Sequence, residues 1–144
     1  MIKEFSCGSV IYKMQNDNPL FLLVNSRRNR KWGFPKGHIK KSETEIETVR
    51  REIFEETGIK DIKFVKNYRK EDIYMIERDS NAKRRIVEKH SIYFLCLAFE
   101  EFSNFDENEI SEVRWVDVEY ACTLLSFDSQ KEILKCVYNL VMGG

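Results

Sequence analysis

The chain has 144 residues, 42% of them hydrophobic, enough for a substantial buried core in one domain. Lys plus Arg and Asp plus Glu both number 24, so net charge is zero and gives no bulk attraction to nucleic acid or to an anionic membrane. The N-terminal stretch MIKEFSCGSV lacks the apolar core of a signal peptide, and no run approaches the roughly 18 apolar residues of a membrane span. A cytoplasmic, monomeric protein is the expectation.

Residues 5–14 read as a strand. Residues 15–19 supply turn formers, and the apolar run over 20–25 makes a second strand, so a hairpin is the simplest arrangement. Residues 26–42 then carry seven basic side chains and no acid, with Trp32 and Phe34 interleaved. Most of that charge reads as a solvated loop, but Lys36 is suited to neutralising a phosphate.

A helix follows over 43–57. Ser42 with Glu45 makes a capping-box pattern at its start, and Gly58 stands where a left-handed terminator belongs. Ile46, Val49 and Ile53 form an apolar stripe at about 100° per residue, with Glu45, Glu52 and Glu56 along one flank and Glu55 further round. Spacings of three and four bring Arg51, Glu52, Glu55 and Glu56 together, neighbouring Cβ atoms being roughly 5–6 Å apart. Clustered carboxylates repel one another unless a cation sits among them, and oxygen donors of this kind suit Mg2+ or Mn2+.

Beyond the helix, 62–68 and 72–77 read as strands, 78–84 as a polar turn, and 90–99 as a strand apolar on both faces and so central. Residues 100–112 hold six acids and no base, a solvated loop leading into a strand over 112–116. Two helices close the chain. The first covers 118–125; the second, over 129–142, shows Ile133, Leu134, Val137, Leu140 and Val141 at helical spacing and is capped by Asp128 or Ser129. Cys7, Cys96, Cys122 and Cys136 are scattered and read as free thiols.

The stretch from Gly37 through Glu43, Arg51, Glu52, Ile53, Glu55 and Glu56 to Gly58 and Ile59 resembles the complete signature of the Nudix hydrolases, without departure in residue or spacing. The resemblance implies an α/β (α+β) fold, an α/β/α sandwich with a mixed sheet, and a single domain over the whole chain. It also implies metal-dependent cleavage of a diphosphate linked to another moiety. Glu52, Glu55 and Glu56, with Gly37 in the loop, would hold Mg2+ or Mn2+; Glu55, Glu56 or Glu109 would take the proton of the attacking water. Arg51 would orient the glutamates and Glu43 would support the loop. Glu107 and Glu112 compete with Glu109.

The run Trp32-Gly33-Phe34-Pro35-Lys36-Gly37-His38 is similar to the loop of the Nudix branch that cleaves diadenosine tetraphosphate to ATP and AMP. Tyr74, sixteen residues past Gly58, matches a tyrosine of that branch. Lys36, His38 and Lys89 would then grip the phosphate chain, with Lys83 and Arg84 as alternatives to Lys89, and Tyr74 would stack on a base. A Lys-Gly pair also occurs in the messenger-RNA decapping branch, so an RNA 5′ end is a rival substrate. Diphosphoinositol polyphosphates are another, and a nucleotide-sensing module without turnover is the non-enzyme reading.

Overall fold

The computed structural model describes residues 1–143, except for the side chain at 80. Its elements run β1 (Ile2–Gln15), β2 (Asn18–Ser26), β3 (Trp32–Gly33), β4 (Lys36–His38), α1 (Glu45–Thr57), β5 (Ile62–Ser80), β6 (Lys83–Ala98), β7 (Ile110–Val116), α2 (Val118–Leu124) and α3 (Asp128–Gly143). The sheet has seven strands in the order β3-β2-β1-β6-β5, with β4 added to β1 and β7 to β2. It is mixed, because β1 and β6 run parallel from Ile2↔Val87 to Tyr12↔Leu97 while β1–β2, β1–β4, β2–β7 and β5–β6 are antiparallel.

Strict alternation along the inner strands gives each face its own core. Cys7, Ile11, Leu22, Val24, Ile92 and Cys96 pack on Val49 and Ile53 of α1. Val10, Phe21, Leu23, Tyr93 and Leu95 turn the other way, onto Ala121, Leu125, Ile133, Leu134 and Val137 of α2, α3 and the segment between them. That is why β2 and β6 read as apolar runs without alternation: both of their faces are covered. The expected helix–sheet–helix sandwich is the architecture observed.

Several boundaries differ from the sequence reading. The cap of α1 is Thr44 rather than Ser42: Thr44 Oγ1 accepts from Glu47 N at 3.1 Å while Glu47 Oε1 accepts from Thr44 N at 2.8 Å. Two overlapping Ser/Thr-x-x-Glu patterns compete here, and Ser42, at φ 71°, lies in a turn that cannot cap. Glu45 is thereby released to the side, where it pairs with Arg69 at 2.8 Å, and Ile46 is exposed. The buried stripe of α1 is Val49, Glu52, Ile53 and Glu56, so two carboxylates lie within the packed face.

The two strands expected over 62–68 and 72–77 are one strand, β5. Its register slips between Phe64 and Arg69, with Asn67 at φ 62°, so the irregularity precedes the polar run that suggested a break. The expected turn over 78–84 shrinks to Asn81 and Ala82, both at positive φ as a two-residue hairpin requires. Phe99 lies outside β6 and is exposed, and Leu140 of α3 is exposed as well. All four cysteines are free. Among the described residues no helix is long and apolar enough to cross a membrane.

Candidate active site

The site is assembled on β4. Alternation in this three-residue strand turns Gly37 toward α1 and its neighbours Lys36 and His38 toward the opposite face, the same division that sets Cys7 against Ser6 and Gly8 across the β1–β4 ladder. Gly37 is needed for close approach. A Cβ there would lie 2.1 Å from Glu52 Oε1 and 2.2 Å from Glu52 Cδ, so the buried Glu52 carboxylate occupies the space of the missing side chain.

Arg51 organises the acids. Its Nε donates to Glu43 Oε2 at 2.6 Å, Nη1 to Glu52 Oε1 at 2.6 Å and to Glu55 Oε1 at 3.0 Å, and Nη2 to Glu43 Oε1 and the His38 carbonyl, both at 3.0 Å. Glu43, just before the cap, also accepts from Lys40 N at 2.8 Å and Thr48 Oγ1 at 3.0 Å. The guanidinium, followed by the Lys40 amide, holds the Glu43 carboxyl down at about 2. One fork thus ties the loop to α1.

Glu56 is treated differently. It is 5% exposed, and no ion pair to it is found among the described residues. Burial pushes its pKa well above the carboxylate range, and hydrogen bonding and repulsion from Glu52, then the charge of Glu109, add to the rise; the Lys36 amide opposes it. Glu109 is exposed at the end of the loop before β7. Its pKa is also raised, by burial first and then by Glu52, Asp106 and Glu55.

That loop is pinned to α1 by Ser103 N to the Thr57 carbonyl and Asp106 N to the Glu55 carbonyl, each 2.8 Å. Gly58 allows this in two ways: its φ is 77°, and a Cβ there would fall 2.4 Å from Ser103 Oγ. The structure therefore brings Gly37, Arg51, Glu52, Glu55, Glu56 and Glu109 together. Of the competitors to Glu109, Glu112 is paired with Arg114.

The donor set is hard oxygen, and Glu56 is a buried carboxyl with no cationic partner among the described residues, which fits a divalent cation such as Mg2+ or Mn2+. Among the described residues no three His, Cys, Asp or Glu side chains already converge as ligands. Glu52 and Glu55 are instead turned onto Arg51 Nη1.

On the opposite face, register places Lys36 beside Gly8, Gly8 beside Tyr93, Ser6 beside Ser91, Glu4 beside Lys89, and Lys89 beside Tyr74. Lys36 Nζ lies 3.4 Å from Tyr74 Oη and 3.3 Å from Ser91 Oγ. Burial works against its charge, but Tyr93 and Tyr74 outweigh that and move its pKa upward. Lys89 Nζ donates to Glu4 Oε1 at 3.0 Å and stands 3.5 Å from His38 Nε2. Glu4 also accepts from Arg78, and these two cations, Arg78 first, depress its pKa to about 2.

Lys36, His38, Tyr74 and Lys89 lie on one polar surface, and Lys89 is already engaged by Glu4. Lys83 and Arg84 lie beside the β5–β6 turn, where Arg84 pairs with Glu77 at 2.8 Å. Glu4, Ser91 and Tyr93 were not expected here; the β1–β6 register that gathers them is a long-range pairing with no local sequence signal.

Comparison with known proteins follows from this geometry. The NUDIX domain family matches residues 6–136. The chain belongs to the Nudix family. As a Nudix hydrolase it is similar to the asymmetrical bis(5′-nucleosyl)-tetraphosphatase of Mus musculus, 27% identical over 152 residues covering 90% of each chain. The mRNA-decapping enzyme subunit 2 of Saccharomyces cerevisiae is 31% identical over 99 residues, which cover 67% of this chain and 9% of that protein. A crystal structure of a C. elegans Ap4A hydrolase binary complex superposes with TM-score 0.82 at 20% identity, covering 98% of this chain and 99% of the other, and shows the shared fold.

Proposed function

We propose that this Nudix hydrolase cleaves the polyphosphate chain of dinucleoside polyphosphates, converting diadenosine tetraphosphate to ATP and AMP with Mg2+ or Mn2+. The observation that carries the reading is the division of β4. One face presents Gly37 to the glutamates, and the other presents Lys36, beside Tyr74, to an anion. The likeness to the asymmetrical bis(5′-nucleosyl)-tetraphosphatase of Mus musculus supports the same substrate.

When bound, the divalent ion supplies Lewis-acid charge that lowers the pKa of a water and offsets charge developing on phosphate oxygens. Glu52, Glu55 and Glu56 are the residues that would hold it, with the Gly37 backbone alongside. Arg51 orients Glu43, Glu52 and Glu55 through charge-assisted hydrogen bonds rather than by touching substrate. Glu55, Glu56 or Glu109 removes the water proton. Lys36 neutralises a bridging phosphate, His38 and Lys89 extend the polar edge along the phosphate chain, and the Tyr74 ring offers a stacking surface for adenine.

A decapping-type activity is the second reading, favoured by the yeast decapping relative. The test is hydrolysis with Mg2+ of diadenosine tetraphosphate, capped RNA, triphosphorylated RNA and diphosphoinositol phosphate, with products resolved by chromatography. ATP and AMP as the dominant pair is the expected result. An inert dinucleotide beside a trimmed RNA end would transfer the assignment to the second reading.

A further inference from the structure

The buried face of α3 is apolar at Ile133, Leu134 and Val137, yet its first buried position is Gln130, 6% exposed. Gln130 Nε2 donates to Tyr93 Oη at 3.3 Å, and Oε1 has no partner among the described residues. Turning the amide over changes nothing essential, because one of its polar atoms meets Tyr93 and the other is left over. A buried orphan of this kind destabilises, and a methionine of similar shape would remove it at the cost of the bond to Tyr93 Oη. Packing alone therefore gives no reason for a glutamine here.

Tyr93 leads from Gln130 to the polar surface on β4. Its ring meets Phe34 edge-on at 5.6 Å and lies 6.0 Å from Lys36 Nζ. Lysine carries a point charge on a flexible stem, so its placement depends on what surrounds the ammonium. Here Tyr74 Oη, Ser91 Oγ and Tyr93 surround it, and of these Tyr93 is the one tied to α3.

We propose that Gln130 is a positioning residue for polyphosphate recognition, fixing Tyr93 Oη and through it the place of the Lys36 ammonium. The proposal rests on the reading of Lys36 as a phosphate partner. It gives α3 a part in binding that an amphipathic helix packed on a sheet would not otherwise have.

The experiment measures kcat, KM and thermal unfolding with diadenosine tetraphosphate and Mg2+ for Gln130→Met, Tyr93→Phe, the double variant and Lys36→Gln. Gln130→Met should raise KM about fivefold, the worth of one ordinary hydrogen bond, with kcat little changed. Its Tm should stay within a few degrees of the parent's, since the orphan oxygen is removed while Tyr93 Oη loses its Gln130 partner. In the Tyr93→Phe background the Gln130 change should add nothing, and Lys36→Gln should cost more than either.

An unchanged KM in Gln130→Met, a loss that multiplies with that of Tyr93→Phe, or a loss that tracks a lowered Tm would overturn the proposal while Lys36→Gln still costs activity. If Lys36→Gln costs nothing, the phosphate role of Lys36 itself falls, and the proposal with it. Should Gln130→Met fail to fold, Tyr93→Phe decides alone: a KM at the parental value refutes the link.

Discussion

Gly37→Ala separates the geometry of the carboxylates from their presence. The added methyl would stand 2.1 Å from Glu52 Oε1 and 2.6 Å from Oε2, inside any permissible contact, and because the clash is with the far end of the Glu52 side chain, relief falls to Glu52 itself. Glu52 must swing away by about 1 Å, and a displacement of that size at a catalytic constellation costs on the order of 100-fold in turnover. The fold should tolerate the change, since the atoms that move are side-chain atoms and overpacking of one methyl costs about 1–3 kcal/mol. The measurement is kcat for diadenosine tetraphosphate at saturating Mg2+, beside thermal unfolding and a Mg2+ titration. A variant that folds with kcat within twofold of the parent, and with unchanged Mg2+ dependence, would refute the claim that Gly37 is there for Glu52. Gly8→Ala is the contrast. Its Cβ would meet the Pro35 carbonyl at 2.5 Å, a backbone atom, so a loss of stability should accompany any loss of activity.

Glu56→Gln should cut turnover by orders of magnitude and yet raise Tm in metal-free buffer at pH 8. The Glu56 pKa is raised in the fold, so its favourable contribution is full below the unfolded value of 4.5 and is lost as pH rises. A Tm gain that vanishes on adding Mg2+ would support a cation that stabilises the Glu56 carboxylate; no gain without metal would count against it. Glu4 works in the opposite sense. With its pKa held at about 2 against 4.5 unfolded, its contribution is present above 4.5 and lost as pH falls between the two, so Glu4→Gln should flatten the acid limb of a Tm-against-pH curve there. An acid limb identical to the parent's would remove the ion pairs of Glu4 with Arg78 and Lys89 from the account. Glu109→Gln with unchanged kcat would leave Glu55 or Glu56 as the base.

What the sequence revealed follows from how local each signal is. The acidic helix and its Gly58 terminator depend on spacings of a few residues and are where their patterns placed them, whereas the basic stretch read as a loop holds the short strands β3 and β4. The cap was misplaced by two residues because Ser42 and Thr44 each begin a capping-box pattern, and only the left-handed backbone of Ser42 decides between them. The engagement of Lys89 by Glu4 was hidden for a different reason. It depends on the parallel β1–β6 ladder, which joins positions 85 residues apart and leaves no trace in either strand alone. Gln130 escaped because a wheel reading follows apolar residues, and the informative position on that face is polar.

The loop 36–38 shows why a short sequence can be so dense in chemistry. In an extended strand neighbouring residues face opposite ways, so Lys36, Gly37 and His38 serve different surfaces without competing for space. Gly37 admits the Glu52 carboxylate, while the Lys36 side chain reaches Ser91 and Tyr74 and its amide still faces Glu56. A phosphate chain crossing this edge would meet fixed ammonium charge on one side and carboxylates suited to a cation on the other. Shifting the strand by one residue would exchange the two faces, placing lysine against Arg51 and glycine where the anion needs a partner. On the proposed reading, the pairing of Cys7 with Gly37, and with it the β1–β4 register, is as much a condition for activity as any glutamate.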